Sequence, residues 1–128
     1  KPLIASHSNA RALCGHSRNL SDEQAKAIAD RGGVIGVTFV GPFLGDGRQS
    51  VQGVVDHIDH FAGVIGTDHI AIGSDFDGVS DSALPEGLPD VSHMPRLIDE
   101  LARRGYSDAA IQSIMGENLL RVVEGVIG

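Results

Sequence analysis

Three short apolar runs, set between stretches of helical periodicity, constrain this chain more than any other feature of its sequence. Pro2 to Ser6, Val34-Ile35-Gly36-Val37-Thr38-Phe39 and His69-Ile70-Ala71-Ile72-Gly73-Ser74 are continuous rather than alternating in hydrophobicity. Strands that read this way are buried on both faces, the environment of a parallel sheet. Parallel neighbours need a crossover connection, usually a helix. The sequence supplies helical periodicity after each run.

The first crossover begins at Ser21-Asp22-Glu23-Gln24, a capping-box pattern preceded by Leu20 as a staple. Ala25, Ile28 and Ala29 give it an apolar face, so a helix is expected from Asp22 to Asp30, stopped by Gly32-Gly33. Gly41 to Gln49 reads as loop. Ser50 is placed to cap a second helix in which Val51, Val54, Val55, Ile58, Phe61, Ala62 and Ile65 recur at helical spacing, closed by Gly66. After the third run, Asp75-Phe76-Asp77-Gly78 leads into a Pro- and Gly-containing loop as far as Ser92. Leu97, Ile98 and Leu101, a break at Gly105, a cap at Ser107, then Ile111, Ile114, Leu119, Leu120, Val122 and Val123 predict two or three terminal helices.

The expected fold class is α/β, with residues 1–128 as a single unit. No low-complexity linker divides them, and 128 residues suffice for one domain with a core but not two. The repeating βα unit belongs either to a doubly wound sheet or to a (β/α)8 TIM-type barrel. A complete barrel has eight units in about 250 residues, so three units plus terminal helices would be roughly half of one. Such a half exposes two strand edges and one uncovered flank of its sheet, a hazard unless a partner or a second copy covers them.

Composition excludes some classes of function. Apolar residues at 41% and charged residues at 21% keep the chain out of the disordered range. A formal charge of −7, with no block of Lys or Arg, disfavours nucleic acid and anionic lipid as partners. The single cysteine, Cys14, cannot form an intrachain disulfide, so no oxidising compartment is required. No apolar stretch approaches the roughly 20 residues of a membrane span, and neither a signal-peptide shape nor a lipid-anchor tail is read. The compartment stays open, leaning to the cytoplasm.

Function in parallel α/β architectures collects at the C-terminal ends of strands, where the loops converge. His7 and Asp75 fall at two such ends. A neutral imidazole there suits a zinc ion and a nearby carboxylate can move protons for a metal-bound water, which together suggest metal-assisted hydrolysis. The alternatives are a hydrogen-bonded loop histidine and a turn-forming aspartate. Arg18 precedes a helix rather than lying along one, so its fork could take a substrate carboxylate, or it could be a plain surface arginine. Asp56-His57-Ile58-Asp59-His60 resembles a metal pair on a helix, but its apolar neighbours already define a buried face. It is read as structural, on an outer helix away from the site. Neither a Gly-x-Gly-x-x-Gly motif after the first strand, nor a Walker loop, nor a Gly-x-Ser-x-Gly elbow occurs, which removes support for nucleotide binding and serine hydrolase chemistry.

Ser6-His7-Ser8-Asn9-Ala10, Ser17-Arg18-Asn19-Leu20, Gly73-Ser74-Asp75-Phe76-Asp77-Gly78 and Asn118-Leu119-Leu120-Arg121-Val122 share their order and spacing with one family. Joined by Asp56 to His60 and by Leu88-Pro89-Asp90-Val91-Ser92, they make the chain resemble the membrane dipeptidase (renal dipeptidase, peptidase M19) family over nearly its whole length. The resemblance implies a (β/α)8 barrel with two zinc ions at its C-terminal mouth, hydrolysing dipeptides through a metal-bridging water, with this chain supplying the last three strands. It further implies that His7 ligates one zinc, Arg18 holds the substrate carboxylate and Asp75 handles protons. The family's His-x-Asp motif, its metal-bridging glutamate and another histidine belong upstream of Lys1, and His16, His57, His60, His69 and His93 do not stand where those motifs would. The chain alone is therefore expected to be inactive, completed by the N-terminal half of the barrel or by a second copy. The rival reading is a noncatalytic half-barrel module that self-associates or binds a carboxylate ligand through Arg18. A third is a related barrel hydrolase acting on nonpeptide amides or lactams.

Overall fold

The computed structural model describes residues 1–127. Three parallel strands, β1 (Ile4–Ala5), β2 (Val34–Val37) and β3 (Ile70–Ile72), lie in the order β1-β2-β3. Ile4 pairs with Val34 and Ile35 with Ile70. Helix α1 (Asp22–Asp30) crosses from β1 to β2, and α2 (Gly41–Leu44) and α3 (Val51–Ile65) cross from β2 to β3. Helices α4 (Met94–Arg103), α5 (Asp108–Gln112) and α6 (Asn118–Ile127) follow, with a π-helical turn at Ser113–Glu117. No helix among the described residues is long and apolar enough to cross a membrane.

The capping box at α1 forms as its residue types demand: Gln24 N donates to Ser21 Oγ (3.2 Å) and Ser21 N to Gln24 Oε1 (2.9 Å). Two expectations need correction. The segment 41–49 is not all loop, because Pro42 sits in the first turn of α2, where its missing N–H costs nothing and its fixed φ suits a helix. Ser50 stands at the start of α3 but its hydroxyl makes no capping bond.

Alternate residues of β2 serve two cores. Ile35 and Val37 join Phe39, Val54, Ile58, Phe61, Leu97, Leu101 and Ile114 in the larger one. Burying one such large side chain stabilises the fold by about 1.5–3 kcal/mol. Val34 and Ala71 point the other way and pack against Val122, with Leu119 beside it. The opposite flank of the sheet is thus not bare, as expected, but covered in part by α6. Asn118 fixes that helix by donating to the carbonyls of Thr67 (2.7 Å) and Ile70 (2.9 Å). Leu3, Ile4, Leu120 and Val126 remain exposed beside it.

Helix α4 is tied to α3 by charge. Arg104 donates to Asp56 Oδ1 (2.8 Å), Asp59 Oδ2 (2.7 Å) and Glu100 Oε1 (3.0 Å), and the Tyr106 hydroxyl reaches Asp59 Oδ1 (2.6 Å). Glu100 is buried against these cations, and hydrogen bonds from Arg103 and Arg104, Arg103 first, hold its carboxyl at about 2.

Candidate active site

The C-terminal ends of the strands run on side by side past their formal limits. Ser8 N donates to Gly36 O (2.8 Å), Gly73 N to Val37 O (2.9 Å) and Phe39 N to Ser74 O (3.2 Å). Asn9 extends the row with its side chain: Nδ2 donates to Thr38 O (3.1 Å) and Oδ1 accepts from Thr38 N (2.9 Å). A buried amide that imitates a strand residue leaves no backbone group of Thr38 unpaired.

Two glycines draw these ends together. A β-carbon on Gly73 would overlap the Ser6 carbonyl oxygen and sit 3.1 Å from His7 Cα, and one on Gly36 would strike the same carbonyl. Without side chains there, the ends of β1 and β3 close over Gly36. His7 is thereby set against the Gly73-Ser74-Asp75 segment.

His7 is half-buried, with Nδ1 2.8 Å from Ser6 Oγ and Nε2 3.5 Å from Arg18 Nη2. A guanidinium only donates, so Nε2 is the accepting nitrogen and Nδ1 carries the proton toward Ser6. Arg18 stands on a loop closed at its base by Arg11 N to Leu20 O and Leu20 N to Asn9 O, both 2.8 Å. The Arg11 guanidinium braces the carbonyls on either side of Arg18, those of Ser17 (3.3 Å) and Asn19 (2.7 Å). Asn19 is buried and donates to Cys14 O (2.9 Å) and Phe43 O (2.8 Å), while its Oδ1 has no protein partner. The Arg18 guanidinium lies 5.8 Å from the Phe43 ring centroid, within cation–π range. His16 completes the cluster, its ring 4.4 Å from that of Phe43 and its Nδ1 accepting from Arg18 N (3.1 Å).

Asp75 has φ 61° and ψ 32°, the one left-handed non-glycine residue among those described. Its carbonyl accepts from Gly78 N (3.1 Å), and its carboxylate lies so close over Gly78 that a β-carbon there would collide with it. The left-handed region costs an L-residue about 1–2 kcal/mol. Glycine would make this turn without strain, so a carboxylate retained at a strand end points to a use for it.

The chemistry of this donor set decides how far it fits a metal. A catalytic zinc takes three protein ligands and an open position. Among the described residues no three His, Cys, Asp or Glu side chains gather. His7 fits one coordination position, and the described residues do not make a complete metal site.

The histidines of the Asp56 to His60 segment are engaged elsewhere. His57, buried, accepts from Ala10 N at Nδ1 (3.0 Å) and donates from Nε2 to Leu44 O (2.8 Å), and His60 Nε2 lies 2.7 Å from Asp22 Oδ1. The structural reading of the segment agrees with these contacts. Its placement away from the site does not, because α3 packs inward and His57 reaches the residue third after His7.

Burial pushes the His57 imidazole below its ordinary value, against the raising effect of its bond to Leu44. The folded state then binds fewer protons than the unfolded one below about pH 6.5, so this contribution is complete above that pH and declines as the pH falls further. A histidine-resolved NMR titration should find the His57 midpoint below the ordinary histidine value of about 6.5. Titration at or above that value would contradict the burial argument.

A family model described as membrane dipeptidase, peptidase family M19, matches residues 1–127. The chain belongs to this dipeptidase family. It is 46% identical over 130 residues to a protein of the pqqA 5′ region of Klebsiella pneumoniae, covering 98% of this chain and 47% of that one. It is 41% identical to the dipeptidase verJ of Clonostachys rogersoniana, covering 98% of this chain and 32% of the relative. A crystal structure of a Rhodobacter sphaeroides metallopeptidase, liganded with a phosphinate mimic of L-Ala-D-Ala, superposes with a TM-score of 0.88 at 34% identity, over 96% of this chain and 36% of that one. The chain thus spans about a third to a half of the length of these relatives. The family is one of metallo-dipeptidases, and the α/β fold with its parallel sheet is that of its solved members.

Of the residues singled out in the sequence, the fold brings His7 and Arg18 within reach of each other and sets Asp75 at the adjoining strand end. Sequence reasoning missed Asn9, Thr38, Asn19 and Phe43. Asn9 and Asn19 stood inside the M19-like segments, but nothing in a linear pattern tells a buried amide from an exposed one. Pro42 was the available signal for the helix that carries Phe43.

Proposed function

We propose that this chain is the C-terminal half of a (β/α)8 barrel and supplies part of the site of a zinc-dependent dipeptidase. The observation that carries the reading is the His7 imidazole 3.5 Å from the loop-braced Arg18 guanidinium, with the end of β3 that leads to Asp75 packed against the same stretch of backbone. Residues 1–128 act as one unit in this reading. Arg18 takes the free carboxylate of a dipeptide in its fork, which limits the substrate to short peptides and fixes the scissile bond. Asp75 passes a proton to the departing amine nitrogen. His7 is one ligand of a site for two zinc ions, whose remaining donors come from the N-terminal half of the barrel or from a second copy. Zinc would supply acidity to a bound water and polarise the carbonyl. The phosphinate dipeptide mimic held by the Rhodobacter sphaeroides relative supports a dipeptide as substrate.

Zinc content by elemental analysis and hydrolysis of a simple dipeptide test this together, first on the chain alone and then after adding the N-terminal segment of an M19 relative. The expected result is neither stoichiometric zinc nor turnover alone, and both on complementation. Two zinc ions and turnover from the chain alone would overturn the shared-site reading. No turnover on complementation, with a carboxylate ligand still bound through Arg18, would favour a noncatalytic module.

A further inference from the structure

The Asp56 to His60 segment contains a residue that the site depends on without touching substrate. We infer that His57 is a positioning residue for Arg18, clamping together the two segments that hold the arginine in place. The inference rests on the dipeptidase reading for the role of Arg18, but its geometry stands independently.

Arg18 is held from two sides. One is its own loop, which leaves the sheet at Asn9-Ala10 and returns at Leu20. The other is α2, whose Phe43 offers its ring to the guanidinium and its carbonyl to Asn19, the neighbour of Arg18. The loop has bonds of its own, but α2 cannot fix itself. Helix α2 has only four residues, far below the length at which a helix is stable unaided. Both segments meet at one imidazole. Nδ1 of His57 accepts from Ala10 N at the root of the loop, and Nε2 donates to Leu44 O at the end of α2.

Only one form of the side chain satisfies both bonds: neutral, with the proton on Nε2. The ring is buried, on the helix that carries the main core residues Val54, Val55, Ile58 and Phe61. A rigid helix thereby sets the separation of the loop and α2, and through them the place of the carboxylate-binding fork. A side-chain amide also carries a donor and an acceptor on one carbon, as Nδ1 and Nε2 flank Cε1, but at a different reach from the backbone and without the ring that fixes their diverging directions. The other polar residues of the segment do not share the task. Asp56 and Asp59 hold Arg104, and His60 holds Asp22.

The chain carries its own reporter. Cys14, its single cysteine, lies on the Arg18 loop with its thiol donating to Pro42 O of α2 (3.3 Å). Its reaction rate with a thiol reagent such as Ellman's reagent therefore follows the docking of loop on helix. In His57→Gln the rate should rise ~10-fold or more, since local opening no longer breaks a shared buried clamp. In the complemented assembly the same variant should raise KM for a dipeptide ~10-fold or more and change kcat much less, the signature of lost substrate binding rather than lost chemistry.

An unchanged Cys14 rate in a folded His57→Gln chain would overturn the proposal, as would equal falls in kcat and kcat/KM at constant KM. If the unsubstituted assembly hydrolyses no dipeptide, the proposed function fails while the thiol measurement still decides the clamp. If the variant does not fold, amide exchange in the unsubstituted chain decides. The Ala10 N–H should exchange as slowly as the core amides of α3, and exchange at the rate of the exposed loop would sink the idea.

Discussion

Gly73→Ala is expected to lower the stability of this chain by about 3 kcal/mol or more, the upper range for overpacking, because the added carbon falls on backbone rather than on a movable side chain. The atom in the way is the Ser6 carbonyl oxygen, with the Ser6 carbonyl carbon at 3.0 Å and His7 Cα at 3.1 Å behind it. Relief requires the end of β1 to withdraw from β3, which separates His7 from the Asp75 segment. The substitution should therefore damage the site as well as the fold. Gly63→Ala provides the contrast. Nothing lies within 4 Å of a β-carbon there, and the position is inside α3, so alanine should stabilise by about 0.5–1 kcal/mol. Urea denaturation of the two variants measures both. If Gly73→Ala stayed within about 0.5 kcal/mol of the unsubstituted chain, the close approach of the strand ends would be wrong.

Asp75→Asn carries the largest expected effect on activity. Asparagine keeps the size of the side chain and tolerates the left-handed backbone that Asp75 adopts. It cannot carry a proton as a carboxylate does. In the complemented assembly kcat should fall about 10²–10⁴-fold, with little change in KM, the range for losing a positioned acid–base group. Asp75→Gly should abolish turnover equally while making the chain more stable, because glycine takes φ 61° without strain. Opposite movements of stability and activity at one residue would mark the strain as functional. An Asp75→Asn enzyme retaining more than about a tenth of its turnover would remove Asp75 from the proton path.

Much of the architecture was legible because it follows from local rules. Helix α1 lies over Asp22–Asp30 as the capping box and its apolar spacing require. The three apolar runs became the three strands of a parallel sheet, formally shorter than the runs although backbone pairing continues past their ends at Ser8, Gly73 and Phe39. The family was legible from the order and spacing of short polar motifs along the chain.

What escaped the linear pattern depended on contacts between distant residues. The loop expected at 41–49 contains α2, a helix too short for periodicity to reveal and held by His57 and Asn19 from elsewhere in the chain. The helix expected to stand apart from the candidate site reaches the Arg18 loop through His57, because the direction of one buried imidazole is set by packing and not by spacing. The flank expected to be bare is partly covered, because α6 folds back to bury Val122 and Leu119 against Val34 and Ala71.

The sequence by itself determined the α/β order, the parallel strands, the family and the identity of His7, Arg18 and Asp75 as the residues to watch, since each rests on short-range periodicity or on residue type. Only the tertiary structure decided that His7 and Arg18 meet, that two glycines let β1 and β3 converge, and that His57 joins the segments behind Arg18. Those facts live in separations of 11 to 67 positions along the chain, where hydrogen-bond direction and steric volume, not local propensity, select the arrangement.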